Sequence, residues 1–111
     1  MSSRFSVESV TPQQLKEMMA SKKPPLLVDV RDQWEYGVAR IEGARLLPLD
    51  ELHVRVLDLP REREIVVYCH HGMRSAAAAH LLKQNEFTSV KNLSGGIDRW
   101  AREIDPNMPR Y

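Results

Sequence analysis

The segment Cys69-His70-His71-Gly72-Met73-Arg74-Ser75 gathers a cysteine, two histidines, a glycine, an arginine and a serine within seven residues. Before it stands Ile65-Val66-Val67-Tyr68, an apolar run rich in β-branched residues that reads as a buried strand. After it stands Ala76-Ala77-Ala78-Ala79-His80-Leu81-Leu82, made largely of strong helix formers. A chain passing from strand through tight turn to helix directs loop N–H groups inward, and the helix start adds partial positive charge. A cysteine placed there should have a lowered pKa and be largely thiolate near neutrality. Such a segment is built for a nucleophile or for an anion cradle. A cysteine simply ending a core strand would account for Cys69, since free cysteine is among the most buried residue types. It would not account for Gly72, Arg74 and Ser75 before the helix.

The elements that must position this segment are legible on both sides of it. Phe5 to Val10 alternates weakly and predicts a first strand. Thr11-Pro12-Gln13-Gln14 supplies a cap, a proline at the first helical position and a capping-box glutamine. Leu15, Met18 and Met19 give that helix its apolar face, and Lys22-Lys23-Pro24-Pro25 ends it. Leu26 to Val30 is an apolar strand interrupted only by Asp29, whose carboxylate needs a partner if buried. It is either a hydrogen-bonded strut or support for the site, with a loop N–H or a nearby arginine as partner. Asp32 caps a short helix through Tyr36, closed by Gly37. Arg31 and Glu35 stand four apart and are expected to pair, which favours a structural role for Arg31 over substrate binding. Arg45-Leu46-Leu47 predicts a short strand, and Leu49 to Leu57 a helix with His53 on its surface. The later elements are a helix from Arg74 to about Asn85, a strand from Phe87 to Leu93 and a helix from Ile97 to Glu103. Asp105 to Tyr111 is read as a tail.

Strands alternating with helices predict an α/β domain with a mostly parallel sheet of about five strands and helices on both faces. The 111 residues are expected to form one domain. Ligands in such sheets bind beyond the carboxyl ends of the strands. Asp29 to Arg31, Cys69 to Arg74 and Ser94 to Gly96 all lie there and should meet at one pocket. With a net charge of +1 and both signs interspersed, neither nucleic acid nor an anionic membrane is expected as partner. No apolar run is long enough to cross a bilayer, and the first residues lack the apolar core of a secretory signal. A single cysteine permits no internal disulfide, which suits a reducing cytoplasm. It also supplies no resolving cysteine, so whatever forms on Cys69 must be removed by another molecule. Cys69, His70 and His71 are adjacent, and adjacent ligands in a tight loop rarely point at one ion. No metal or cofactor is expected.

Cys69-x-x-Gly72-x-Arg74-Ser75 resembles the active-site loop of single-domain rhodanese-like sulfurtransferases. Leu27-Val28-Asp29-Val30-Arg31 with Glu35, Ile41, Gly43 and Ala44 is similar to that family's upstream signature. Asn92-Leu93-Ser94-Gly95-Gly96-Ile97 with Trp100 is similar to its downstream one. One departure is plain: Ala39-Arg40 stand where the family usually carries Gly-His, which touches a local turn rather than the cysteine chemistry. The resemblance implies a rhodanese-like fold and a Cys69 that attacks the sulfane sulfur of an anionic donor such as thiosulfate, forming a persulfide. Cyanide, a thiol or a protein of a sulfur relay would then accept the sulfur. Loop N–H groups of residues 70 to 75 would hold the terminal sulfur's charge, Arg74 would attract the donor, and Ser75 would either hydrogen-bond the thiolate or cap the helix. His70 and His71 either tune donor choice and thiolate charge or are polar rim residues. Two other readings use the same residues. Phosphatases and arsenate reductases with a cysteine–arginine loop place five residues between the two, whereas four stand here, and the shorter ring suits a sulfur atom better than a phosphate. A non-catalytic binding module is the third reading.

Overall fold

A computed structural model of the chain describes residues 7–111. Five strands, β1 (Glu8–Val10), β2 (Leu26–Asp29), β3 (Arg45–Leu46), β4 (Ile65–Tyr68) and β5 (Val90–Leu93), form one sheet in the order β1-β5-β4-β2-β3. Every pairing is parallel. Each parallel neighbour must be reached by a crossover, and α1 (Pro12–Met19), α2 (Gln33–Val38), α3 (Leu49–Arg55) and α4 (Met73–Gln84) lie in the connections, while α5 (Gly96–Glu103) follows the last strand. The expected α/β architecture is therefore present. Part of the expected first strand, Phe5 and Ser6, lies outside the described residues.

The two faces of the sheet are read directly from the alternation along β4. Ile65, Val67 and Cys69 join Val28 and Val30 against Leu52 of α3 and Ala78, Ala79 and Leu82 of α4. Val66 and Tyr68 turn the other way, with Leu27 and Leu93, against Leu15 of α1 and Ile97 and Trp100 of α5. Every residue of β4 is buried, as a strand covered on both faces requires. The alanines of α4 let that helix lie close to the sheet directly behind the cysteine.

Several boundaries moved, each for a local reason. The helix opened by Asp32 runs past Gly37 to Val38, because Ala39 rather than the glycine leaves helical geometry, with φ −161° and ψ 147°. That extended backbone is open to any residue, so Ala39-Arg40 build the turn without a glycine. Arg40 lies over the Tyr36 ring instead, 4.6 Å from its centroid. The Leu49 helix gives way at Val56–Asp58 to a 3-10 turn, and its Val54 and Leu57 are exposed rather than packed. His53 is exposed as expected. The last strand begins at Val90, with Phe87 buried ahead of it.

Two glycines make opposite demands. A Cβ at Gly37 would meet nothing within 4 Å, so Gly37→Ala should raise stability by about 0.5–1 kcal/mol through helix propensity alone. Gly96 sits at φ +62°, and a Cβ there would fall on the carbonyl oxygens of Cys69 and His70. Gly96→Ala should cost about 2 kcal/mol or more, strain and clash together. Urea unfolding of the two variants checks both signs.

Candidate active site

The cradle around Cys69 is assembled by backbone. Gly72 takes φ +113°, a left-handed turn that reverses the chain after β4 and opens α4. The reversal brings the Gly72 N–H to 3.1 Å from Sγ and the Ser75 N–H to 3.3 Å. These are two of the loop donors expected at residues 70 to 75. Cys69 itself is only 1 % exposed. The loop's other side is fixed by α5: Ile97 N–H donates to the Cys69 carbonyl at 2.9 Å and Asp98 N–H to the His70 carbonyl at 3.1 Å. The loop after β4 and the turn after β5 therefore meet, as the parallel topology required.

Ser75 does not cap the helix. Because α4 begins at Met73, Ser75 lies inside its first turn and is completely buried. Its Oγ stands 3.3 Å from Sγ and donates to Asn92 Oδ1 at 2.5 Å. Asn92, at the end of β5, also donates through Nδ2 to the Gly72 carbonyl at 3.2 Å. One amide thus holds both residues whose N–H groups reach the sulfur. Met73 points outward and is 85 % exposed.

The charged residues pair differently from the expected Arg31–Glu35 contact. Arg31 precedes α2 rather than belonging to it, so the two never share a helical face. Arg31 instead turns back on the buried Asp29, with Nη2 to Oδ2 at 2.7 Å and Nε to Oδ1 at 2.9 Å. Nη2 also reaches the Ala39 carbonyl at 2.6 Å and Nη1 the Tyr111 hydroxyl at 2.7 Å. Burial opposes the Arg31 charge, but the hydrogen bonds it donates to Asp29 and Tyr111 outweigh it and raise its pKa. Asp29 has found the arginine partner that its position demanded.

Glu35 pairs with Arg74 across 39 positions of sequence, Nη1 to Oε1 at 2.6 Å and Nη2 to Oε2 at 2.8 Å. The guanidinium expected to attract the donor is therefore already matched by a carboxylate. Neither Glu35 as that partner, nor Asn92 as a clamp, nor Tyr111 was singled out by the sequence. A glutamate one helical turn after a capping aspartate, facing a conspicuous arginine, is the only signal that would have suggested the first.

The two histidines differ. His71 is exposed, with Nε2 3.9 Å from Asp98. His70 stacks on His71 at 4.0 Å between centroids, and its pKa is lowered by burial and then by His71, which keeps it neutral at pH 7. His70, His71 and Asp98 bring one ligand atom each within 4.8 Å of one another. Asp98, however, already accepts from Arg110 at 3.0 Å and from Arg102 at 3.3 Å. A cation would face two guanidinium groups, so this donor set fits a metal poorly.

Hydrogen bonds from Arg74 hold the Glu35 carboxyl at about 2, against 4.5 in its ordinary state, despite the opposing effect of burial. A folded value below the unfolded one gives stability that is full above about pH 4.5 and fades as pH falls toward 2. Glu35→Gln should therefore flatten the acid limb of a urea-stability profile in that window. The expected loss at neutral pH is about 2 kcal/mol, allowing for solvent at the part-exposed Arg74 end.

Comparison with known proteins agrees with this geometry. Residues 11–103 match the family model described as "Rhodanese-like domain". A sulfurtransferase of Allochromatium vinosum is 35% identical over 96 residues, covering 86% of this chain and 90% of that protein. The probable adenylyltransferase/sulfurtransferase MoeZ of Mycobacterium tuberculosis is 35% identical over 105 residues, 93% of this chain but 27% of MoeZ. The chain thus spans about a quarter of the length of such two-function relatives. The crystal structure of a rhodanese-related protein from Thermoplasma volcanium superposes with a TM-score of 0.80 at 31% identity, over 87% of this chain and 93% of that one. With the family model spanning four of the five strands and the loop that carries Cys69, the chain belongs to the rhodanese-like domain family.

Proposed function

We propose that this protein transfers sulfane sulfur from an anionic donor such as thiosulfate to a thiophilic acceptor through a persulfide on Cys69. The observation that carries the reading is the pair of N–H groups, from Gly72 and Ser75, converging on a buried sulfur. The Cys69 thiolate attacks the donor's outer sulfur, the donor S–S bond breaks, and sulfite leaves with the bonding electrons. Converging N–H donors then hold the negative charge of the terminal persulfide sulfur. Cyanide or a thiolate attacks that sulfur, the Cys69 S–S bond breaks, and the thiolate returns. No external oxidant or reductant enters the cycle. Relatives named adenylyltransferase/sulfurtransferase make a protein acceptor within a sulfur relay a natural second class of acceptor. A lone cysteine cycling through a persulfide suits a reducing compartment such as the cytoplasm.

His70, His71, Gly72, Met73, Arg74 and Ser75 form the loop in this reading, and Asp29 with Arg31 supports it from beneath. Loop length argues for sulfur over phosphate, because four phosphate oxygens need several donors arranged around them. Intact-mass measurement after thiosulfate treatment should show one added sulfur, removed by cyanide and absent in Cys69→Ser. Hydrolysis of an aryl phosphate should be negligible. Robust Cys69-dependent phosphatase turnover would overturn the assignment, and failure to take up sulfur from any donor would favour a binding module.

Arg74 has two duties in this scheme, drawing in the donor and neutralising Glu35. Arg74→Ala should therefore lower both thiosulfate use and stability, since Glu35 is left with its buried charge unpaired. Adding Glu35→Gln should return much of the melting temperature. If it also returns thiosulfate turnover, Arg74 is a strut and has no part in donor capture.

A further inference from the structure

Residues beyond α5 were legible only as a tail, yet Tyr111 enters the site. Its ring stacks on His70, 4.0 Å between centroids and 14° from parallel, and meets Trp34 edge-on at 5.6 Å. His70 therefore lies between two rings, Tyr111 on one face and His71 on the other. The hydroxyl accepts from Arg31 Nη1 and donates to Glu35 Oε2, both at 2.7 Å. Burial and the neighbouring Glu35 push the phenol up to about 12, so it stays protonated and keeps both bonds across the working pH range. Arg110 beside it anchors the segment to Asp98 at the start of α5.

These contacts converge on the two donors of the cradle. His70 is two residues before Gly72, and among the described residues its backbone is held only through α5, so its ring is the remaining handle on that side of the loop. Glu35 holds Arg74, the residue before Ser75. We propose that Tyr111 is a positioning residue for the Cys69 loop, its ring fixing His70 so that the Gly72 N–H stays aimed at Sγ. The ring is seated by its stacking on His70 and its contact with Trp34, and the hydroxyl adds bonds to the Asp29–Arg31 and Glu35–Arg74 pairs. The segment 105–111 is on this view a wall of the site, and its loss would leave a folded protein with a looser loop.

The proposal rests on Cys69 being the reacting group, so one measurement is independent of sulfur transfer. The rate of Cys69 alkylation by iodoacetamide reads the loop whether or not thiosulfate is a substrate, and kcat for thiosulfate-to-cyanide transfer reads it in turnover. In the full chain Tyr111→Ala should slow alkylation and lower kcat about tenfold, the scale of a sub-ångström misplacement. The KM for thiosulfate should move less than kcat. Tyr111→Phe keeps the ring and should recover most of both rates. An unimpaired Tyr111→Ala overturns the proposal, as does a Phe variant as damaged as Ala. Faster alkylation in Tyr111→Ala also overturns it, by showing that the ring covers the thiol rather than orienting its loop. If wild-type protein takes up no sulfur at all, the transfer reading fails while the alkylation series still decides the role of Tyr111.

Discussion

A guanidinium withdrawn completely from water needs a protein partner at each of its three nitrogens, because an unpaired buried charge costs several kcal/mol. Arg31 meets that demand by gathering Asp29, the Ala39 carbonyl and the Tyr111 hydroxyl around itself. Each partner comes from a different part of the chain: the end of β2, the end of α2 and the terminal segment. Displacing Asp29 or the Ala39 carbonyl leaves a donor bare in the interior, whereas Nη1 lies beneath the part-exposed Tyr111. Tyr68, immediately before the cysteine, lies 5.6 Å from the same guanidinium and offers its ring face. Buried charge and nucleophile are thus set back to back across one strand, Tyr68 facing one side of the sheet and Cys69 the other.

On the nucleophile's side, a single proton is contested. Asn92 has its amide direction set by the Gly72 carbonyl, so its oxygen is left facing Ser75 and takes that hydroxyl's only hydrogen. Ser75 then shows a lone pair to the sulfur, which suits a thiol that donates. A thiolate draws instead on the two backbone N–H groups, which cannot turn away. This division explains why the cradle is made of main chain: its donors are fixed before any charge appears.

How much of this was written in the sequence depends on the range of the interaction. The strand and helix order, the cap at Thr11 and the meeting of the loops after β4 and β5 follow from local pattern and parallel topology. Cys69 could be named because nucleophile, turn glycine and helix start coincide within a few positions. Long-range pairing was hidden. Arg31 and Glu35 were matched by spacing, but a helix beginning at Gln33 excludes Arg31 from the face that spacing assumes. Arg74 claims Glu35 from the far side of β4, and no local rule announces that. Tyr111 was illegible for a further reason. A segment containing two prolines and no periodicity carries no sign of what it will touch.

The strand order has a consequence for how the chain is made. β1 pairs only with β5, residues 8–10 against 91–93. During synthesis the first strand must therefore wait, unpaired, until residues 91–93 have left the ribosome. β4 meanwhile can zip onto β2 as soon as residue 68 emerges, with its other edge still bare until β5 arrives. An exposed, wholly apolar strand edge is a template for foreign strands, and pairings so distant in sequence form slowly. The interval between β4 and β5 is the one in which this protein is most vulnerable to aggregation, and α4 is the element made during it.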